Sequence, residues 1–213
     1  GYDPKLAHGA TPSLQDRWIR SRLSHTEGAV RKALEAYRFN DAAGAVYQFL
    51  WHEFCDWYVE CAKLPLYRSE NPIARACAQK TLSETLEATL RLLHPFMPFI
   101  TEEIWQRLPR VWTRGHVPES IMMAEFPRRS RKDLDSSAEA EMGLLMGVIT
   151  AIRNIRGEMR ISPSVSLRAI LRPATRADAE RLSGHAPLVQ ALAKAEVTVD
   201  SRAARPRVKA LLR

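Results

Sequence analysis

The stretch DRWIRSRL, residues 16–23, carries the side chains near the start of the chain that are best suited to binding chemistry. Arg17 and Arg20 lie three positions apart, with Trp18 between them, at the start of a predicted helix. A guanidinium can hold a phosphate through two hydrogen bonds, and an aromatic ring can stack on a base. The same residues also suit a capped helix that buries Trp18 and leaves its arginines in solvent. The sequence alone leaves both interpretations open.

EFCDWYVECAK, residues 53–63, is apolar on nearly every side of a helical wheel. A helix of this kind packs against two or more neighbours, so its aromatic residues, including Trp57 and Tyr58, are expected in the core of a bundle. One narrow polar sector remains, and it contains Val59 and Lys63. These two residues are predicted to meet RNA, although an exposed valine by itself needs no functional explanation.

A third candidate is IRNIRGEMR, residues 152–160. Arg153, Arg156 and Arg160 recur there at spacings of three and four, which places them on one face of a helix. This basic stripe could hold an RNA backbone or pack on the rest of the molecule, since charged stripes are often only solvated faces.

Motifs for a self-contained catalytic site are absent from the sequence. It has no glycine-rich phosphate loop, no G-x-S-x-G and no H-E-x-x-H. Cys55, Cys61 and Cys77 match no zinc spacing, and an odd number of cysteines without secretory signals is typical of reduced thiols. We therefore predict no catalytic residue, no metal site and no cofactor site in this chain.

The basic excess of the chain is local. Residues 1–65 and 66–127 are each balanced, whereas residues 128–213 hold 17 basic and 9 acidic side chains and so contain the whole net charge of +8. A local positive excess is typical of a nucleic-acid partner. Codon usage is an alternative explanation, because 25 of the 32 basic residues are arginines.

The first 127 residues show helical periodicity. Ser13 and Asp16 form a capping box that predicts a helix over 14–37. A second helix is predicted over 41–63, with Pro65 as its end and with Tyr47 and Trp51 in an apolar stripe. Further elements follow, namely a third helix capped by Asn71 before Pro72, a short helix at TEEIWQRL, and an extended stretch at IMMAEF.

The remaining residues predict a different architecture. Ser136 and Glu139 form a second capping box before another helix, and Thr175 with Asp178 caps a short one. VSLRAILRP and AEVTVD alternate as strands do. The fold class is therefore mainly α, a helical bundle over 1–127 followed by a small basic α+β appendage over 128–213.

The sequence shows no segment that would direct the protein into or across a membrane. It has no run of about 18 apolar residues that could span a membrane, and no signal peptide at its start. We expect a monomeric, cytoplasmic protein without a membrane partner. The opening GYDPKLAHGATP lacks a methionine, as a piece of a longer protein would.

Four segments in order resemble the C-terminal part of bacterial valyl-tRNA synthetases, which are class I aminoacyl-tRNA synthetases. The resemblance covers roughly residues 12–172. The segments are DRWIRSRL, YRFNDAAGAVYQFLWHEFCDWYVECAK, LLHPFMPFITEEIWQRL and IRNIRGEMRISPS.

The resemblance implies an anticodon-binding bundle whose partners are tRNA(Val) and the catalytic domain of the same polypeptide. ATP with magnesium would be used in that catalytic domain, whose H-I-G-H and K-M-S-K-S motifs do not occur in this chain. Two alternatives remain open. The chain could be a synthetase-like interaction or regulatory module without RNA binding, or the equivalent domain of an isoleucyl-tRNA synthetase.

Overall fold

The computed structural model describes residues 6–109, 118–162, 164–165 and 167–203. Its contacts separate two compact units, Gly1–Glu139 and Ala140–Arg213. Residues 128–139 fall in the first unit because they pack on its first helix, where Ser24 Oγ donates to the carbonyl of Ser130 over 2.7 Å. The division into domains at residues 127 and 128 stays a prediction, since a compact unit is not thereby an independent domain.

The first helix, α1 (Leu14–Glu35), begins where the sequence predicted it. Ser13 Oγ accepts the backbone N–H of Asp16 at 3.3 Å, and the Asp16 carboxylate accepts the backbone N–H of Ser13 at 3.2 Å. This capping box satisfies N–H groups that a helix start otherwise leaves unpaired. Trp18 and Ile19 are buried directly behind it, so the cap also fixes where the core begins.

The second helix is a continuous rod from Phe39 to Arg68, longer than predicted. It consists of α2 (Phe39–Gln48), a π-helical segment (Phe49–Tyr58), α3 (Val59–Lys63) and a second π-helical segment (Leu64–Arg68). The prediction that Pro65 ends the helix is wrong. Pro65 is the second residue of the last segment, and the helix continues past it to Arg68.

Unit Gly1–Glu139 is a helical bundle. Val30 and Ala33 of α1 pack with Ala42 and Val46 of α2 and with Leu92 of α4 (Pro72–Leu93) in one fully apolar cluster. As predicted, the Asn71 side chain caps α4 by accepting the N–H groups of Ile73 and Ala74.

A shorter helix, α5 (Pro98–Arg107), packs on α4 through Trp105, whose indole N–H donates to Glu87 over 2.9 Å. The stretch IMMAEF, predicted to be extended, begins with a 3₁₀ turn at Ile121–Met123. Ser120 Oγ caps this turn by accepting the N–H of Met122, which is the local hydrogen bonding that favours a turn over a strand.

The boundary between the units falls within α6 (Ser136–Glu158). The predicted capping box of Ser136 and Glu139 is wrong. Asp135 caps this helix instead, since its carboxylate accepts the N–H of Ala138 at 2.9 Å. Glu139 contacts α1, where it accepts hydrogen bonds from Ser21 and Arg22.

Unit Ala140–Arg213 contains two parallel strands, β1 (Leu167–Leu171) and β2 (Ala195–Val199), in a register that pairs Leu167 with Ala195. Helices α7 (Arg176–Gly184) and α8 (Ala186–Ala193) connect the two strands, and Thr175 caps α7 as predicted. Mainly helical architecture with a small α+β appendage is thus confirmed. No helix among the described residues is long and apolar enough to cross a membrane.

Candidate nucleic-acid interface

The arginines of α1 form ion pairs within their own unit. Arg17 contacts the Asp135 carboxylate at 2.8 Å. Arg20 donates to Thr81 Oγ1 and to Glu84, both over 3.1 Å, and so ties α1 to α4. Trp18 is buried, as the packing interpretation of DRWIRSRL requires. Arg17 keeps an exposed side that could reach a phosphate, whereas Arg20 has a structural partner for its guanidinium.

The polar sector of residues 53–63 is less open than a regular helical wheel suggests. Val59 is half-buried, and Lys63 donates to Glu60 at 2.5 Å while about half of its side chain stays exposed. The π-helical turns before Val59 change the angle between successive side chains, so an α-helical wheel misplaces the residues of this sector. Lys63 remains the better placed of the two to contact RNA.

The arginines at positions 153, 156 and 160 have three different surroundings, and Arg160 lies just beyond the end of α6. Arg153 donates twice to the carbonyl of Leu192, at 3.1 and 2.9 Å, and Arg160 is exposed with a left-handed backbone, φ 51°. Arg156 is only 8% exposed, and its guanidinium donates to carbonyl oxygens at 2.7–2.9 Å. These acceptors belong to Ser162, Val165 and Lys194. The prediction that Arg156 binds RNA does not fit this burial.

Arg156 instead joins the end of α6 to the strand that follows. Replacing it by alanine should leave three carbonyls without this donor and destabilise the protein by about 2 kcal/mol, since hydrogen bonds to charged groups are the stronger ones. A thermal melt of Arg156→Ala against Arg160→Ala tests this role. Equal melting temperatures for the two variants would show that Arg156 is not structural.

The exposed side of α2 carries aromatic residues that sequence reasoning assigned wrongly. Asn40, Gly44, Tyr47 and Trp51 recur at spacings of four, three and four and share one face, named here the α2 aromatic face. Tyr47 and Trp51 are 53% and 49% exposed, and their ring centroids lie 6.3 Å apart. The predicted placement of Tyr47 and Trp51 in a packed stripe is therefore wrong.

Gly44 lies in the middle of this face, and a Cβ placed there would meet nothing within 4 Å. A glycine within a helix costs about 0.5–1 kcal/mol relative to alanine, and nothing in the packing around Gly44 offsets that cost. The backbone beside Tyr47 is thus open to close approach by a flat ligand. The spacing of Gly44, Tyr47 and Trp51 at three and four residues was the signal in the sequence that could have revealed this face.

A second exposed aromatic pair lies at the junction of α1 and α2. The rings of Tyr37 and Phe39 meet edge to face with centroids 6.4 Å apart. Tyr37 has a positive φ of 56°, so the turn that ends α1 is tight. Arg38, between them, pairs with Asp41 at 3.3 Å in an exposed contact that leaves the guanidinium accessible. Aromatic rings beside a cation are typical of surfaces that bind single-stranded nucleic acid.

Across the described ranges, no group of three or more histidine, cysteine, aspartate or glutamate side chains is arranged to hold a metal ion.

Comparison with known proteins gives a consistent result. Residues 16–171 match the family model described as the anticodon-binding domain of tRNA ligase. The valine–tRNA ligase of Geobacter sulfurreducens is 52% identical over 175 residues, which is 80% of this chain and 19% of that protein. The valine–tRNA ligase of Bacillus licheniformis is 42% identical over 178 residues, or 84% of this chain and 19% of that protein.

The chain spans about a fifth of the length of these relatives. The match includes α1, the whole rod from Phe39 to Arg68, and the α2 aromatic face. The resemblance identified from sequence motifs is confirmed, and the chain belongs to the family of anticodon-binding domains of tRNA ligases.

Proposed function

We propose that this chain binds the anticodon arm of tRNA(Val) and positions that tRNA for aminoacylation by a catalytic domain elsewhere in the same polypeptide. The α2 aromatic face is the observation that carries the proposal. An anticodon loop is single-stranded, so its bases can turn outward and stack on exposed rings. Tyr47 and Trp51 offer two such rings on one rigid helix.

Phosphate contacts would supply orientation more than selectivity. Arg38 directly precedes the rod and Lys63 lies on it, and both keep part of their charge exposed. Arg17 on α1 is partly exposed as well. Each phosphate neutralised adds about 0.7–0.9 to the slope of log affinity against log salt concentration. Binding should therefore weaken as salt rises, with a slope that counts these contacts.

Trp51→Ala should weaken binding of a tRNA(Val) anticodon stem-loop, because base stacking on an aromatic ring contributes about 1–3 kcal/mol per base. Tyr67→Ala is the matched control, since Tyr67 is exposed on the same rod but lies off the α2 aromatic face. The measurement is a fluorescence titration of the stem-loop and of a scrambled loop with each variant. Equal losses in both variants would contradict the placement of the site.

Gly44→Ala separates binding from folding. The added methyl group should raise the free energy of unfolding by about 0.5–1 kcal/mol, because it favours the helix and meets no neighbour. The same methyl group lies on the α2 aromatic face one turn before Tyr47, so it should weaken stem-loop binding. A variant that gains stability and keeps full affinity would place the bases elsewhere.

The proposal also concerns the longer protein of which this chain would be a part, namely its amino acid, its cofactors, its location and its oligomeric state. The relatives described above carry the name valine–tRNA ligase, which favours valine over the isoleucyl alternative. ATP and magnesium would act in the catalytic domain, and this chain by itself would bind tRNA without forming aminoacyl-adenylate. A cytoplasmic location and a monomeric state belong to the same proposal.

The second candidate function, an interaction module without RNA binding, has one observation in its favour. Helix α5 exposes Phe99, Ile100 and Ile104 beside the Glu103–Arg107 ion pair. Exposed apolar residues rimmed by charge are typical of protein contacts. This candidate would be favoured if the affinity for the stem-loop did not change with salt concentration and equalled the affinity for the scrambled loop.

A further inference from the structure

Next to the α2 aromatic face, the first π-helical segment carries an exposed pair of polar side chains, His52 and Asp56. Nδ1 of His52 lies 3.3 Å from Oδ2 of Asp56, and the two side chains are 58% and 59% exposed. Because a carboxylate only accepts hydrogen bonds, Nδ1 carries the hydrogen that joins the pair. The contact holds the Asp56 carboxylate in place on the helix and leaves its other oxygen as an acceptor.

The π-helical turns bring this pair beside an aromatic ring. In an α-helix, residues five positions apart are separated by about 140° around the axis, so Tyr47 and His52 would point in different directions. A π-helix bonds residues that are five positions apart and so brings them to the same side. The ring centroids of Tyr47 and His52 are 6.3 Å apart, and the rings meet edge to face at 77°. Asp56 is therefore linked through His52 to the ring of Tyr47.

A base stacked on this face would present its edge to a carboxylate. Stacking by itself distinguishes bases poorly, because every base has a π-face. Identity is read from the donors and acceptors along the edge, and an aspartate accepts hydrogen bonds from an exocyclic amino group such as N4 of cytosine. Uracil has the carbonyl oxygen O4 at the same position, which would face the carboxylate without a hydrogen bond between them.

We propose that Asp56, held in place by His52, selects a base with an exocyclic amino group at the α2 aromatic face. Adenine, cytosine and guanine carry such a group, whereas uracil does not. Asp56 would contact the base directly, and His52 would be a positioning residue. The selection requires that bases of an RNA loop stack on Tyr47 and Trp51, so it rests on the proposed function.

Removing single amino groups from the RNA tests the contact. In a tRNA(Val) anticodon stem-loop, the loop bases are changed one at a time, cytidine to uridine, adenosine to purine riboside and guanosine to inosine. One of these changes should weaken binding to the full chain about 10- to 100-fold, as expected for one hydrogen bond to a charged group. With Asp56→Asn, the same change should cost about twofold or less, because the uncharged amide presents donors as well as an acceptor.

Asp41→Asn is the matched control for the loss of one negative charge. Its carboxylate lies on the same rod, is 60% exposed and pairs with Arg38. This variant should keep the full discrimination between the intact and the altered loop. His52→Asn should keep most of it, since an amide N–H can replace Nδ1–H, whereas His52→Phe should lose it.

Discrimination that persists in Asp56→Asn, or a wild type that binds every altered loop as tightly as the intact one, would overturn the selection by Asp56. If Trp51→Ala still weakened stem-loop binding in that case, the proposed function would stand without it. If Trp51→Ala had no effect either, the proposed function would fail as well.

Discussion

Replacing Tyr58 by alanine should lower the free energy of unfolding by about 3–5 kcal/mol, a large share of the ~5–15 kcal/mol typical of a whole domain. Tyr58 is fully buried in the π-helical segment, and its ring stacks on that of Phe54. Its hydroxyl donates to the carboxylate of Asp16 over 2.6 Å. Burial and the charge of Asp16 raise the pKa of Tyr58 well above its ordinary value, so the hydroxyl stays a donor.

The contact joins the cap of α1 to the middle of the second helix. Asp16 is itself buried and already accepts the Ser13 N–H, so losing Tyr58 weakens the capping box as well as the core. Chemical denaturation of Tyr58→Ala, Tyr58→Phe and Trp57→Ala separates the contribution of the buried ring from that of the hydrogen bond. Tyr58→Phe keeps the ring and should cost about 1–3 kcal/mol for the unpaired carboxylate oxygen.

Trp57→Ala is the neighbouring control. The sequence placed Trp57 in the core, but the structure leaves it half-buried, so its loss should cost clearly less than that of Tyr58. A larger loss of stability for Trp57→Ala than for Tyr58→Ala would contradict the burial of Tyr58 and the partial exposure of Trp57 in the π-helical segment.

Glu27 should make the stability of the protein fall as pH rises toward neutrality. It is buried on α1, where desolvation, with a smaller contribution from Asp133, raises its pKa to about 7. Arg91, Arg31 and a backbone hydrogen bond at Ser130 act in the opposite direction but are outweighed. A small polar cavity of about 160 Å³ adjoins it, lined in part by Arg20, Glu84 and Asp133.

The sign follows from proton binding. Between pH 4.5 and 7 the folded protein holds a proton on Glu27 that the unfolded chain releases, so stability is full below this window and is lost as pH rises through it. The loss amounts to about 3–4 kcal/mol, taking 1.36 kcal/mol for each unit of pKa between 4.5 and 7.

Glu27→Gln stays neutral at every pH and should remove this dependence. The variant should match the wild type near pH 4.5 and exceed its stability at pH 8 by about 3–4 kcal/mol. Glu35→Gln, exposed at the end of α1, is the matched control and should leave the pH profile unchanged. Parallel profiles for wild type and Glu27→Gln would mean that Glu27 is ionised in the folded state throughout.

Local signals in the sequence were enough for most of the fold. Caps at Ser13, Asn71 and Thr175 act within three residues, and the alternation in β1 and β2 is likewise local. The exception at Ser136 shows the limit. Its expected partner Glu139 instead accepts hydrogen bonds from Ser21 and Arg22, which are more than 100 positions away in the sequence. No local sequence pattern reveals these distant partners.

The candidate interface was harder to predict because it depends on helix geometry. An α-helical wheel assumes one angle per residue, whereas the rod changes to π-helical turns at Phe49 and again at Leu64. Trp51 lies in the first of these π-helical turns and is exposed, as is Tyr47 in the α-helical turn before it. The surroundings of Arg156 were hard to predict for another reason, since the carbonyls that accept its hydrogen bonds belong to residues beyond α6.

The most direct test of the central claim is photocrosslinking of a tRNA(Val) anticodon stem-loop that carries 4-thiouridine in the loop. After illumination and digestion, mass spectrometry identifies the residues that carry RNA adducts. The account predicts adducts within residues 39–63, at Tyr47 or Trp51, and their loss in Trp51→Ala or Gly44→Ala. Adducts found only within residues 128–203 would contradict it, because the RNA would then contact the basic segment and leave the α2 aromatic face free.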